Sequence, residues 1–455
     1  MLDPAVRDYL ETHRAAHLDR LIELLRIPGI ANRRDDACDR AARWLADALG
    51  TLGFRANILP TPTKPAVLAE GPAVPDAPTV LIYGHYDVQP PEPLELWHTD
   101  PFQPVVRDGW IYARGADDDK GQLFTHLMAV EAFVRSGKGL PLNVKFFIEG
   151  EEEIGSPSAD AFLTEHGARL AADACVISDS AFFAAGLPSL TCALRGLAYV
   201  ELTVTGPSAD LHSGLLGGLV ANPVNALAAM VAAMHRPDGR VAIPGFYDDV
   251  EPVGEAERAA WSELPFDEAA CAQSLGLDVL AGGEKHLPAL ERNWARPTLD
   301  CNGIVGGYTG EGSKTIIPAR ASAKISMRLV ARQDPQKIVA GFRRFVDENT
   351  PPGLRASVEV HAASPAVQVD PDSPAVAAAR NALAEAFGRP PVLIRCGASV
   401  PATEVIQRRL GLHAVLMGFG LPEDNLHSPN ERFALSQLYG GSIASAAFLQ
   451  NLAAR

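Results

Sequence analysis

The apolar positions change their period twice along the chain. Residues 5 to 25 carry Leu10, Leu18, Leu21, Leu24 and Leu25 at helical spacing, and Pro28 ends the run. That pattern predicts one amphipathic helix, followed by a second at 37 to 49. Short continuous apolar runs then stand at 79 to 83 (TVLIY), 142 to 148 (LNVKFFI) and 174 to 177 (ACVI), with a helical stretch at about 120 to 136 between the first two. Strands that alternate with helices predict a largely parallel sheet covered on both faces. The Pro-rich segment at 60 to 78 reads as a loop or edge connection.

From about residue 196 the period becomes two. AYVELTVTG at 198 to 206, ARASAKISMRLV at 319 to 330 and RASVEVHA at 355 to 362 alternate as half-exposed strands do. Helical spacing recurs at 222 to 235 and 335 to 347. The first texture then returns, with a helix at 373 to 387, a strand at 412 to 417 and a last helix at 435 to 452. The expected fold is therefore an α/β domain, a mostly parallel sheet flanked by helices, built from 1–195 and 366–455. An α+β domain at 196–365 is inserted into it.

A length of 455 residues is too great for one simple core, which agrees with two domains. The net charge of -15 argues against nucleic acid and anionic membrane surfaces as partners. No window approaches 18 uncharged apolar residues, so no membrane span is expected. The charged N-terminus lacks the apolar core of a secretory signal. Six cysteines without a C-x-x-C pair fit reduced thiols, and a cytoplasmic protein is expected.

Five places combine metal-type side chains with a strand end. They are GHYDVQP (His85, Asp87), ARGADDDKG at 113 to 121, EGEEEIGS at 149 to 156, ISDS at 177 to 180 and LHSPNE at 426 to 431. Singly each is weak, because a lone His is ordinarily a packed or surface residue and a run of acids a solvated turn. Together they put acids at the carboxyl ends of parallel strands, where ligand sites gather in open α/β folds. Clustered carboxylates repel unless cations neutralise them. His and carboxylates without Cys suit zinc, manganese or cobalt in a hydrolytic site.

GHYDVQP, ARGADDDKG, EGEEEIGS, ISDS, ADLHSG, GSKTIIP, ISMRLV and NLHSPNE, in this order from about residue 80 to residue 431, resemble the motif set of the dinuclear zinc peptidases. That family includes carnosine-type dipeptidases, glutamate carboxypeptidase, succinyl-diaminopimelate desuccinylase and aminoacylases. The dipeptidase branch is the nearest. The resemblance implies a site with two divalent ions, zinc before manganese or cobalt. His85 would hold one ion and His427 the other, Asp118 would bridge them, and Glu153 and Asp179 would complete the set. Asp87 would orient His85 through its ring N–H. Glu152 would be the general base for a water shared by the two metals. The same resemblance implies a cis peptide between Asp118 and Asp119.

In the inserted region, the resemblance makes His212 an oxyanion donor in the partner subunit's site. Arg328 would pair with the substrate carboxylate, and Thr315 and Ser399 would line the substrate site. The insertion would then be a lid that also forms a homodimer. One departure stands out. In RCGASVP, Cys396 occupies the place of an acid in Arg-Glu-Gly-Gly-Ser of many dipeptidases. That acid suits a free substrate ammonium, so the change puts α-amino recognition in question. Asp179, by contrast, is the dipeptidase choice at its position. The expected activity is metal-dependent hydrolysis of dipeptides or short peptides. An N-acyl-amino-acid hydrolase, or a carboxypeptidase on N-blocked substrates, is the alternative. A two-metal phosphoesterase and a metal-free binding protein are rivals from other classes.

Overall fold

The computed structural model describes residues 1–412 and 414–454, and they form two compact units. The first comprises Met1–Cys192, Val369–Ile394 and Val400–Arg455, and the second Ala193–Gln368 with Arg395–Ser399.

In the first unit, strands order as Arg55–Leu59, Ala66–Glu70, Asn143–Glu149, Thr79–His85, Ala174–Ile177 and Ala414–Leu416, with Leu416 beside Thr191. The three central pairings are parallel, and the flanking ones antiparallel, so the sheet is mixed. The central strands are buried nearly end to end, as expected when helices cover both faces. Helix Lys120–Arg135 is buried over most of its surface and packs against Leu435–Ala453, which is apolar almost all round.

Three local expectations need correction. The single helix at 5 to 25 is two, Pro4–Thr12 and Arg14–Leu25. They break at His13, whose backbone leaves helical geometry and whose ring nitrogen lies 2.9 Å from the Tyr9 carbonyl. The Pro-rich segment contains the buried strand Ala66–Glu70, because VLA fills the sheet between prolines that only bound it. Strand Ala414–Leu416 is shorter than the expected 412 to 417, of which residue 413 lies outside the described residues.

The second unit is a four-stranded antiparallel sheet in the order Thr298–Gly306, Arg320–Leu329, Gly196–Thr205, Arg355–Ser364. Burial alternates residue by residue along Gly196–Thr205. The buried face (Val200, Leu202, Ile325, Met327) packs on helices Pro223–Ala233 and Pro335–Asn349. Both helices start with Pro after a capping side chain, Asn222 onto Val224 N–H and Asp334 onto Gln336 N–H. The edge strand Thr298–Gly306 carries exposed Ile304 and Val305. Among the described residues no helix is long and apolar enough to cross a membrane.

Candidate functional site

Parallel strands end together, so the residues just past their carboxyl ends converge. His85 ends Thr79–His85, and Asp179 follows Ala174–Ile177. Glu152 and Glu153 open a short 3₁₀ turn beyond Asn143–Glu149. Asp118 lies just before helix Lys120–Arg135, and its peptide bond to Asp119 is cis.

Asp118 is the centre of the cluster. Its Oδ1 lies 3.1 Å from His85 Nε2, and its Oδ2 lies 2.9 Å from His427 Nε2. Asp179 Oδ2 stands 4.0 Å from the same His85 nitrogen, and Glu153 Oε2 stands 3.3 Å from the His427 nitrogen. Two donor groups result, His85–Asp118–Asp179 and Asp118–Glu153–His427, each with its donor atoms within 4.8 Å of one another. Either group could hold a cation, and Asp118 would be common to both.

The arrangement fits metal better than hydrogen bonding. His85 Nε2 is buried and has no aligned hydrogen-bond partner, although a carboxylate oxygen stands 3.1 Å away. Buried polar atoms are rarely left this way. The charges agree. Burial, with the Asp118 and Glu153 charges, pushes the Asp179 carboxyl up to about 7. Hydrogen bonds to Asp118 and Glu153 push His427 up to about 10. Without cations, the cluster holds protons to offset its own repulsion.

Glu152 stands apart from both groups. Its carboxylate makes no hydrogen bond among the described residues. Burial, then the Asp179, Asp118 and Glu153 charges, raise its pKa well above the ordinary value against the pull of His85. Asp87 holds the turn that carries it. Its carboxylate accepts the Glu152 N–H at 3.3 Å and the Glu153 N–H at 3.0 Å. The His85 Nδ1 atom is 3.1 Å from the Asp87 carbonyl and 3.4 Å from its Oδ1, so the carbonyl is the nearer acceptor.

Three supporting residues were not singled out from the sequence. Glu431 accepts the N–H groups of Gly115, Asp117 and Asp118 at 3.0, 3.0 and 3.2 Å, and pairs with Arg114 at 2.8 Å. It thereby ties the loop of Asp118 to the segment of His427. Gln89 donates to both carboxylate oxygens of Glu153, from its backbone at 3.1 Å and its side chain at 2.8 Å. Glu431 and Gln89 lie inside quoted motifs, LHSPNE and GHYDVQP, and Arg114 inside ARGADDDKG. Their place there was the only available signal.

The other expected residues lie in the second unit, in two groups. His212 and Thr315 meet at a short antiparallel pair, where His212 faces Ile316 and the Thr315 carbonyl accepts Ser213 N–H at 3.1 Å. His212 is exposed. Its Nδ1 accepts the Gly214 N–H at 3.0 Å, which leaves the proton of the neutral ring on an outward Nε2. Arg328 Nη1 donates to Ser399 Oγ at 2.9 Å, and Ser399 Oγ donates in turn to the Arg195 carbonyl.

The Peptidase family M20/M25/M40 model matches residues 81–451, a span that contains all seven of the converging residues. The chain belongs to this family. As a member, it is 31% identical over 466 residues to the Cys-Gly metallodipeptidase of Saccharomyces cerevisiae, covering 97% of this chain and 96% of that one. It is 31% identical over 399 residues to the Beta-Ala-His dipeptidase of Homo sapiens, covering 86% of this chain and 78% of that one. An M20 family metallo-carboxypeptidase from Sulfolobus solfataricus superposes with a TM-score of 0.88 at 33% identity, over 96% of this chain and 99% of that chain. The mixed sheet with flanking helices is thus the fold of a metallopeptidase family.

Proposed function

We propose that this chain is a metal-dependent peptidase that hydrolyses dipeptides or short peptides. The observation that carries the reading is Asp118 presenting one oxygen to each of two histidine–carboxylate groups, with an unengaged Glu152 beside them. His85 and Asp179 would hold one divalent ion, His427 and Glu153 the other, and Asp118 both. Bound ions would polarise the scissile carbonyl and acidify a water between them. Zinc suits these donors, and manganese or cobalt tolerate the same set.

The chain's own residues account for the rest. Glu152 would act as the carboxylate once bound cations offset the acids that raise its pKa, and in that form takes a proton from the attacking water. The water oxygen bonds to the carbonyl carbon, the C–N bond breaks, and Glu152 returns the proton to the leaving amine. Asp87 keeps Glu152 and Glu153 in register through their backbone N–H groups. His212, with its proton on Nε2, donates to the developing oxyanion of a partner subunit's site. Arg328 takes the substrate carboxylate, supported by Ser399, and Thr315 lines the substrate site. The second unit would pair two copies into a homodimer. The exposed apolar side chains on edge strand Thr298–Gly306 support such a contact. A cytoplasmic setting fits the cysteine usage.

A second reading is a carboxypeptidase or N-acyl-amino-acid hydrolase acting on N-blocked substrates. Cys396, where an acid would receive a free ammonium, favours it, as does the similarity to the Sulfolobus carboxypeptidase. Free-amine and N-acylated forms of the same peptides, assayed with added zinc, manganese or cobalt, test both. Hydrolysis confined to N-acylated forms would replace the first reading by the second.

A further inference from the structure

The second unit contains two guanidinium groups that lean on one segment, and among the described residues neither forms an ion pair with a carboxylate, although the Asp300 charge is felt at Arg195. Arg328 Nη1 rests on Ser399 Oγ at 2.9 Å. Arg195 clamps the same segment three ways. Its N–H donates to the Ala398 carbonyl at 3.0 Å, its Nε donates to the Gly397 carbonyl at 2.8 Å, and its own carbonyl accepts Ser399 Oγ. The nearby Arg395 is already matched by a two-point pair with Glu257. Among the described residues Arg195 and Arg328 have no such partner.

One of the remaining donors of Arg195 is buried and unsatisfied. Nη1 is buried with no hydrogen-bond partner, and Nη2 lies against the bare Cα of Gly397. A Cβ at Gly397 would come within 3.0 Å of Nη2 and 2.3 Å of Asn293 Oδ1, so only glycine leaves that space open. Burial, followed by repulsion from Arg328, brings Arg195 down to about 10 against a weaker pull from Cys396 and Asp300. Two part-buried like charges near enough to repel each other favour an anion beside them. A carboxylate has the matching shape, because each of its oxygens can take an N–H from a different guanidinium.

We infer that Arg195 is a second specificity-determining residue for the substrate's terminal carboxylate, which it shares with Arg328. The inference rests on the peptidase reading and narrows the substrate to peptides with a free C-terminal carboxylate. It also makes Gly397 part of the recognition, since a side chain there would crowd Arg195.

The test compares a dipeptide with its C-terminal amide in wild type, Arg195→Gln, Arg195→Lys and Arg328→Gln. Arg195→Gln is expected to raise KM for the free acid at least ~10-fold, with kcat within about threefold, because one charged hydrogen bond is lost from binding. The amide should be little affected, so the acid-to-amide preference falls. Arg195→Lys keeps the charge but not the fork, and is expected to lose part of the preference, which also serves if Arg195→Gln does not fold. Equal losses on acid and amide would make Arg195 only a structural clamp and overturn the inference. A fall in preference for Arg328→Gln alone would overturn it while leaving the peptidase reading intact. Wild-type enzyme that cleaves neither substrate with metal present would sink both.

Discussion

The two units present opposite electrostatic problems. In the first, Asp118, Glu152, Glu153 and Asp179 crowd around two histidines, and the excess negative charge is held down by protons. In the second, Arg195 and Arg328 share one loop, and among the described residues neither has an ion-pair partner. Each cluster is too costly to exist for stability alone. A structural cluster is neutralised by its own chain, as Arg114 and Glu431 are. A binding cluster is left unbalanced with the sign opposite to that of its ligand. The difference predicts cations for the first unit and an anion for the second.

The contrast breaks most sharply at Glu152. Glu152→Gln is expected to lower kcat by ~10²–10⁴-fold while metal content stays that of wild type. Elemental analysis beside turnover checks this, and metal lost in step with activity would exchange the roles of Glu152 and Glu153. His212→Ala in the second unit should cost ~10²–10³-fold as a lost oxyanion donor. If it acts across a dimer, mixing His212→Ala chains with Glu152→Gln chains restores part of the activity after subunit exchange. No recovery in proven heterodimers would confine His212 to its own chain.

Metal affinity sharpens the same contrast through pH. Metal must displace protons from Asp179 and His427, raised to about 7 and about 10. Both groups are protonated at pH 6 in the metal-free chain, so affinity should weaken as pH falls, by about tenfold per unit for each proton displaced. Calorimetry in buffers of different ionisation enthalpy would detect the protons released. No release would mean the cluster is already deprotonated.

Two smaller effects concern neutralised pairs. Glu431→Gln leaves Arg114 buried and unpaired and loosens the loop of Asp118, and it is expected to destabilise by ~3–5 kcal/mol in denaturant melts. Glu131 on helix Lys120–Arg135 bonds Tyr9 and Arg20 and lies near His17. Burial pushes its carboxyl up, but His17 and Arg20 outweigh that and bring it down to about 2. Its folded pKa is depressed, so its contribution is complete above about pH 4.5 and is lost as pH falls through about 2. Glu131→Gln should cost ~1–2 kcal/mol at pH 7 and progressively less as pH falls from about 4.5 through about 2. A difference undiminished at pH 2 would assign the loss to packing.

What the sequence determined by itself is what short stretches of chain can carry. Apolar runs mark the central strands, period-two alternation marks the second sheet, and His85, Asp118, Glu152 and Asp179 each stand beside such an element, in motifs that resemble a known family. Local signals erred where two of them competed. Prolines hid the strand Ala66–Glu70, and an unbroken leucine spacing hid the helix break at His13. Only the tertiary structure decided which distant groups meet. Glu431 serves a loop some three hundred residues away along the chain, and Arg195 reaches Gly397 across two hundred. No periodicity encodes such contacts, because a hydrogen bond depends on distance in space and the chain between its ends can take any length. The unbalanced charge of each cluster is likewise a property of the folded arrangement, since the same acids and arginines spread along an open chain would each be neutralised by water and salt.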